Sequence, residues 1–344
     1  MKHWISIGMS AALLFSCISC SSGGASTSEP SESGEPSRAS EVKIGMLIPG
    51  SPTDGGFSQQ GAEACKAIEE TYGYEVSLVE AATADSIKQE AENMAAEGYK
   101  IVYGHGGQCT SPFAEISPDY PDTWFITLGG NVVTENQFPV CFCGEEGFYV
   151  TGVIAGMMSK TGKIAATLGG DYPAYTKATT GFRLGAESVN PDVECSVAVL
   201  SAPDPNEAYE TTLNQINMGA DFILGNCNEG QIGALKAVSE NPGVYAIGSL
   251  GNFTDQAPES VLVNVVGDFN RGYLEATEAV MSGSIEEPEI MFLTFANECV
   301  SLVWNEELKA QIPQEVVDAA EQAVQDIIDG KIDVPNEYEL DTVK

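Results

Sequence analysis

The chain has 344 residues and carries 50 acidic against 15 basic side chains. Its formal charge of −35 excludes a surface that binds nucleic acid or anionic lipid, because like charge repels both. About 300 residues follow Glu41, too many for one ordinary core and suited to two lobes.

The first residues read as an export signal rather than as fold. Lys2 supplies the charged start and Trp4 to Phe15 the apolar middle. That middle is shorter than the roughly 20 apolar residues that a membrane span needs. The run from Leu14 to Cys20 resembles a bacterial lipoprotein lipobox, in which a small residue precedes the cysteine that receives the lipid. Cys17, with Leu14 three residues before it, is the expected lipidation site, and Cys20 is the alternative. The expected boundaries are a signal peptide over 1–16 and a lipid-anchored linker over 17–41. Ser21 to Glu41 is rich in Ser, Gly, Pro and Glu, so it cannot bury a core and reads as a flexible tether. Cys17 and Cys20 also spell CxxC, but that chemistry needs a folded βαβ context which an export segment does not supply.

From Lys43 the pattern alternates. Lys43 to Ile48 is short and apolar, as a strand covered on both faces should be. Pro49 to Gly56 holds proline, glycine and aspartate and must turn. A helix then starts at Ser58, with Ala62, Cys65, Ala67 and Ile68 on one side. Strands follow at 74–79, 101–103, 123–128, 138–143, 163–168, 194–199, 222–224, 244–247 and 261–265. Helices fall at 86–97, 147–159, 175–189, 206–218, 231–240 and 269–281, and an amphipathic one at 319–328. Regular alternation of this kind predicts parallel sheets flanked by helices, and the number of strands predicts two similar α/β lobes. Seven cysteines follow the tether, an odd number without regular spacing and a poor disulfide framework, so they read as small buried apolar residues.

Polar, aromatic and glycine residues gather at the strand ends, where parallel sheets bind ligands. The candidates are Asp54, Phe57, His105, Gln108, Asn131, Asp171, Tyr172, Tyr175, Asn226, Asn228, Ser249, Asn252 and Asp268. Turn chemistry alone also puts Gly and Asn there. The aromatics are harder to dismiss: Phe57 ends a Gly-rich loop, and Tyr172 and Tyr175 flank Pro173. Aromatic faces with amide and carboxylate partners suit a flat, neutral heterocycle.

Catalytic sets are missing from the sequence. Its two histidines are His3, in the signal, and His105. A nucleophile elbow Gly-x-Ser-x-Gly is absent. Gly156 to Lys163 is one residue too long for a P-loop, and Ile164 stands where Ser or Thr would hold magnesium. One histidine and scattered cysteines do not make a zinc site. Glu145-Glu146 could bind calcium but reads better as a pair that offsets a helix dipole. A calcium-dependent purine nucleosidase, the sharpest enzyme rival, would want an aspartate-dense first loop, and this loop offers Asp54 alone. The expectation is therefore a binder rather than an enzyme, with no cofactor and no metal; a ligand sensor without transport is the other alternative.

Three blocks carry a family resemblance: Asp54-Gly55-Gly56-Phe57, then Glu145 to Gly156 (EEGFYVTGVIAG), then Lys160-Thr161-Gly162-Lys163-Ile164 leading to Gly169-Gly170. Phe182, Gly185, Ala186 and Asn190-Pro191-Asp192-Val193 continue it. In these blocks the chain resembles the basic membrane protein (BMP) family of substrate-binding lipoproteins of ABC transporters, over roughly 42–283. The resemblance implies the type I periplasmic-binding-protein fold: two Rossmann-like lobes, three crossings between them and a purine in the cleft. It implies a lobe one of 42–145 plus 269–299 and a lobe two of 146–268 plus 300–344. It implies that Phe57 stacks on the base with Asp54 or Ser58 beside it, and that the EEGFYVTGVIAG helix is structural. Nucleoside receptors of the family carry a Gly-Val-Asp run whose aspartate grips the ribose. Here the run is Gly248-Ser249-Leu250-Gly251-Asn252, so the expected ligand is a purine base or purine nucleoside, with the base favoured. The expected partners are that small molecule, an ABC permease and a lipid anchor, with the chain acting as a monomer.

Overall fold

The computed structural model of the chain describes residues 42–53 and 57–336. The expected signal and tether (with Cys17 and Cys20), Asp54 of the first loop, and the acidic end from Glu337 lie outside the described residues.

In chain order the first elements are β1 (Lys43–Ile48), α1 (Phe57–Tyr72), β2 (Glu75–Glu80), α2 (Ala84–Ala96), β3 (Ile101–Gly104), α3 (Thr110–Ile116), β4 (Trp124–Leu128) and β5 (Gln137–Phe142). Then come α4 (Gly144–Met158), β6 (Lys163–Leu168), α5 (Pro173–Val189), β7 (Glu194–Val199), α6 (Pro205–Asn217), β8 (Phe222–Asn226), α7 (Gln231–Ser239), β9 (Tyr245–Ser249) and β10 (Val261–Gly267). The chain continues through α8 (Phe269–Ser282), β11 (Met291–Leu293), β12 (Val300–Trp304), α9 (Glu306–Lys309) and α10 (Gln314–Ile328).

Two six-stranded sheets result, ordered β2-β1-β3-β4-β5-β11 and β7-β6-β8-β9-β10-β12. The two orders are the same, strand for strand, and the lobes differ in the direction of the last edge strand. Each places its order reversal beside its first strand, where open parallel sheets leave a crevice. Pairing is parallel apart from β12, which runs antiparallel to β10. The chain passes between the sheets three times: from β5 into α4, from β10 into α8, and from β11 into β12.

Alternation along the strands explains their apolar runs. Ile44, Met46 and Ile48 of β1 enter one core cluster and Leu47 the opposite one. In lobe two, Ile164, Ala166 and Leu168 of β6 face one cluster while Ala165 faces another. Both faces of each sheet are covered, so neither side of a strand needs polar residues.

Element bounds differ from the sequence expectations by one to three residues at most ends, as fraying ends do. The α10 helix starts five residues earlier than expected. Four elements were not anticipated: α3, β11, β12 and α9. They are too short for a periodic pattern, and Pro112 in the first turn of α3 disguises it as a loop. Six of the seven described cysteines are buried, as small apolar residues are.

The helix expected to be structural is packed in an unusual way. A Cβ at Gly152 of α4 would overlap the Phe182 carbonyl oxygen, and one at Gly185 of α5 would overlap the Tyr149 carbonyl oxygen. A Cβ at Gly181 would also overlap the Glu145 carbonyl oxygen, and one at Gly156 would lie 2.6 Å from the Ala186 carbonyl oxygen. The helices α4 and α5 thus meet backbone to backbone, and glycine is required on both sides.

Glu146, in the first turn of α4, holds the third crossing in place. Its carboxylate accepts the Phe295 N–H at 2.8 Å. Burial raises its pKa from 4.5 to about 7, although the Phe295 N–H works in the opposite direction.

Two expectations follow from these contacts. Gly185→Ala should lower the unfolding free energy by about 1–3 kcal/mol, the usual cost of overpacking, read from urea midpoints. A folded pKa above the unfolded one favours the folded state at low pH, and that stabilisation is lost as pH rises through the folded value. Glu146→Gln should therefore gain stability relative to the parent between pH 4.5 and about 7. A difference that stays flat across that window would contradict the burial of this carboxylate.

Candidate functional site

A cavity of about 580 Å³ lies between the two sheets, within the size range of small-molecule sites. Lobe one contributes the turns after β3 and β4, which carry Gly106-Gly107-Gln108 and Gly129-Gly130, and the end of β5 at Cys141 and Phe142. Lobe two contributes the first turns of α4 and α5 and the loop after β9. Gly106, Gly129 and Gly130 all have positive φ (137°, 83° and 100°), which explains the glycines and lets backbone form the cavity wall.

Three expected residues line this cavity: Phe57, Gln108 and Tyr172. Phe57 opens α1, and its ring stacks on His105, with centroids 4.0 Å apart. His105 does not line the cavity; it is fully buried beneath Phe57. Its Nε2 is 2.6 Å from the Phe57 carbonyl, which can only accept, so Nε2 carries a hydrogen. Its Nδ1 is 2.6 Å from the Tyr273 hydroxyl on α8. The histidine thus fixes Phe57 from both its ring face and its backbone.

The other expected residues take local roles. Ser58 is buried in α1. Asn131 is exposed past the Gly129-Gly130 turn. Tyr175 is half-buried against Gly169, and its N–H donates to the Tyr172 carbonyl. Asn226 is buried at the end of β8, where it accepts the Ser249 hydroxyl at 2.9 Å; its Nδ2 has no partner. Asn228 adopts φ 47° in a turn. Asn252 accepts the Thr254 N–H at 3.1 Å, and Asp268 caps α8 by accepting the Arg271 N–H at 3.0 Å. For Asn228, Asn252 and Asp268, turn and cap chemistry accounts for the polar side chain.

The most telling polar pair was not foreseen as a site. Glu145 of α4 and Lys177 of α5 both line the cavity, and their charged atoms lie 3.5 Å apart. In the sequence, Glu145 reads as half of an acidic pair that could bind calcium and that better offsets a helix dipole. Its side chain is 3% exposed and that of Lys177 is 11% exposed. Burial raises the Glu145 pKa, and Lys177 counters that shift. They are the only charged side chains among the described residues that line the cavity. Phe148 and Phe269 were also missed, because on a helix an aromatic reads first as core. For Lys177 a signal was available: a cation near a helix N-terminus, where the dipole disfavours it.

Leu250 lines the cavity with φ 61°, a left-handed conformation that costs a branched side chain about 1–2 kcal/mol. The buried Asn264 of β10 holds that loop. It accepts the Phe253 N–H at 2.9 Å and donates to Thr254 at 3.1 Å and to the Val303 carbonyl at 3.1 Å. Among the described residues no group of three or more His, Cys, Asp or Glu could hold a metal ion. Among the same residues no helix is long and apolar enough to cross a membrane.

Comparison with known proteins places this architecture. Residues 41–338 match the family described as ABC transporter substrate-binding protein, PnrA-like. A purine-binding protein of Brucella abortus is 28% identical over 255 residues, 73% of this chain and 72% of that protein. A protein of Bacillus subtilis named transcriptional activator protein med is 26% identical over 248 residues, 71% of this chain and 76% of that protein. In shape, an ABC transporter solute-binding protein of Aeropyrum pernix aligns with a TM-score of 0.73 at 18% identity, over 88% of this chain and 95% of that one. That likeness speaks to the fold: two α/β lobes of the type I solute-binding architecture. The chain belongs to the PnrA-like family of ABC transporter substrate-binding proteins, which bind their ligands rather than transform them.

Proposed function

We propose that this protein is an extracytoplasmic lipoprotein that delivers a purine base or purine nucleoside to an ABC transporter. The observation that carries the reading is a pair of aromatic side chains, one from each lobe, held at one cavity. Phe57 and Tyr172 are 41% and 64% exposed, and both line it. Exposed rings beside an apolar cavity are the surface that a flat heterocycle covers. The free base is favoured over the nucleoside. The Gly248 to Asn252 run has no aspartate for a ribose, and the Asp268 carboxylate is engaged as a helix cap.

Ligand contacts to both lobes stabilise the closed form, and that form docks on the permease. The chain works as a monomer tethered through Cys17, or through Cys20. The relative named as a transcriptional activator favours a second reading, in which ligand binding is sensed rather than coupled to transport.

The first test is a thermal-shift series with adenine, hypoxanthine, their nucleosides, a hexose and an amino acid. A micromolar ligand at millimolar concentration adds about 4 kcal/mol to stability, a shift that is easily read. Shifts with purines and silence with the others are expected; shifts with the hexose alone would overturn the reading. Phe57→Ala should weaken purine binding by about 1–3 kcal/mol in calorimetry, the range of a base–aromatic stack. An unchanged affinity would remove Phe57 from the site.

A further inference from the structure

We infer that Glu145 and Lys177 read the edge of the purine ring and select a 6-oxopurine over a 6-aminopurine; this rests on the purine reading above. The two groups sit on the lobe-two wall of the cavity, 3.5 Å apart, close enough to address neighbouring atoms of one ring edge. A carboxylate only accepts hydrogen bonds and an ammonium only donates them. Hypoxanthine and guanine present an N1–H donor beside an O6 acceptor. The carboxylate takes the N1–H and the ammonium gives to O6. Guanine adds a second donor, its 2-amino group, which the other carboxylate oxygen can accept.

Adenine reverses both positions. Its N1 lone pair would face the carboxylate and its 6-amino group would face the ammonium. Both are mismatches between buried groups, and a buried polar site rejects a ligand that leaves it unpaired far more strongly than an apolar pocket rejects a change of size. The pair also carries no net charge, which suits a neutral base. The backbone contact between α4 and α5 sets the spacing, since Gly181 packs against the carbonyl of Glu145 itself.

The test is calorimetry on the intact protein with hypoxanthine and adenine, which differ only at this edge. Hypoxanthine should bind at least tenfold more tightly. Glu145→Gln replaces one acceptor by a donor, so hypoxanthine should lose tenfold or more while adenine gains. Because a buried pair that loses one charge can destabilise the fold, the double variant Glu145→Gln with Lys177→Met removes both charges together. In that variant the preference should vanish while adenine still binds. Equal affinity of the parent protein for both bases, or a preference untouched by the substitutions, overturns the edge assignment alone. No heat with either base or with their nucleosides overturns the purine reading, and the edge assignment falls with it.

Discussion

The contact on which lobe two depends is the approach of α4 to α5, backbone against backbone. Four glycines, two on each helix, face carbonyl groups of the opposite helix. Any side chain at Gly152 or Gly185 would push the helices apart. That separation would move the cavity wall as well, because Glu145 and Phe148 stand on one helix and Tyr172 and Lys177 at the start of the other. The small residues are thus structural, as the sequence suggests, and the site is a consequence of the packing they allow. A wider crossing would break the Glu145–Lys177 pair and leave a buried carboxylate with its nearest cation out of reach, a costly arrangement.

Lobe one reaches the cavity by a different route. Backbone turned by glycines after β3 and β4 forms part of its wall, with Phe142 of β5 beside it and the Phe57 ring at its edge. Phe57 follows a glycine-rich loop, and such a loop alone fixes no ring. His105 supplies the missing constraint from below, stacking on the ring and holding its carbonyl. Tyr273 continues the chain of contacts into α8, the helix that begins where β10 crosses back. The crossing and the aromatic are therefore mechanically joined through one buried histidine. A displacement of α8 is relayed to Phe57 through Tyr273 and His105.

The charge of the chain and the charge of the cavity are separate matters. The surface is strongly acidic, yet the described cavity lining holds one anion and one cation. Away from water such a pair interacts more strongly than it would on the surface, and it imposes direction as well as attraction. The excess of acid outside disfavours anionic ligands at long range. The balanced pair inside asks for a neutral molecule with a donor and an acceptor side by side.

By itself the sequence determined the α/β class, the two lobes, the alternation and most element positions. Each strand is a short apolar run and each helix an apolar stripe, both signals being local and periodic. It also pointed to Phe57, Gln108 and Tyr172, since strand ends in parallel sheets are where ligands meet the chain. It did not reveal β12 running antiparallel, because strand direction depends on partners far away in the chain. Nor did it separate Asn252 and Asp268, which serve turns and caps, from residues at the cavity, for the same side chains do both jobs. Only the tertiary structure decided that His105 supports the site from beneath and that Glu145 and Lys177 meet. Those two are 32 positions apart, on helices whose close approach is set by glycines lying elsewhere along them. Nothing periodic marks such a pair: its position depends on how closely two backbones can pack.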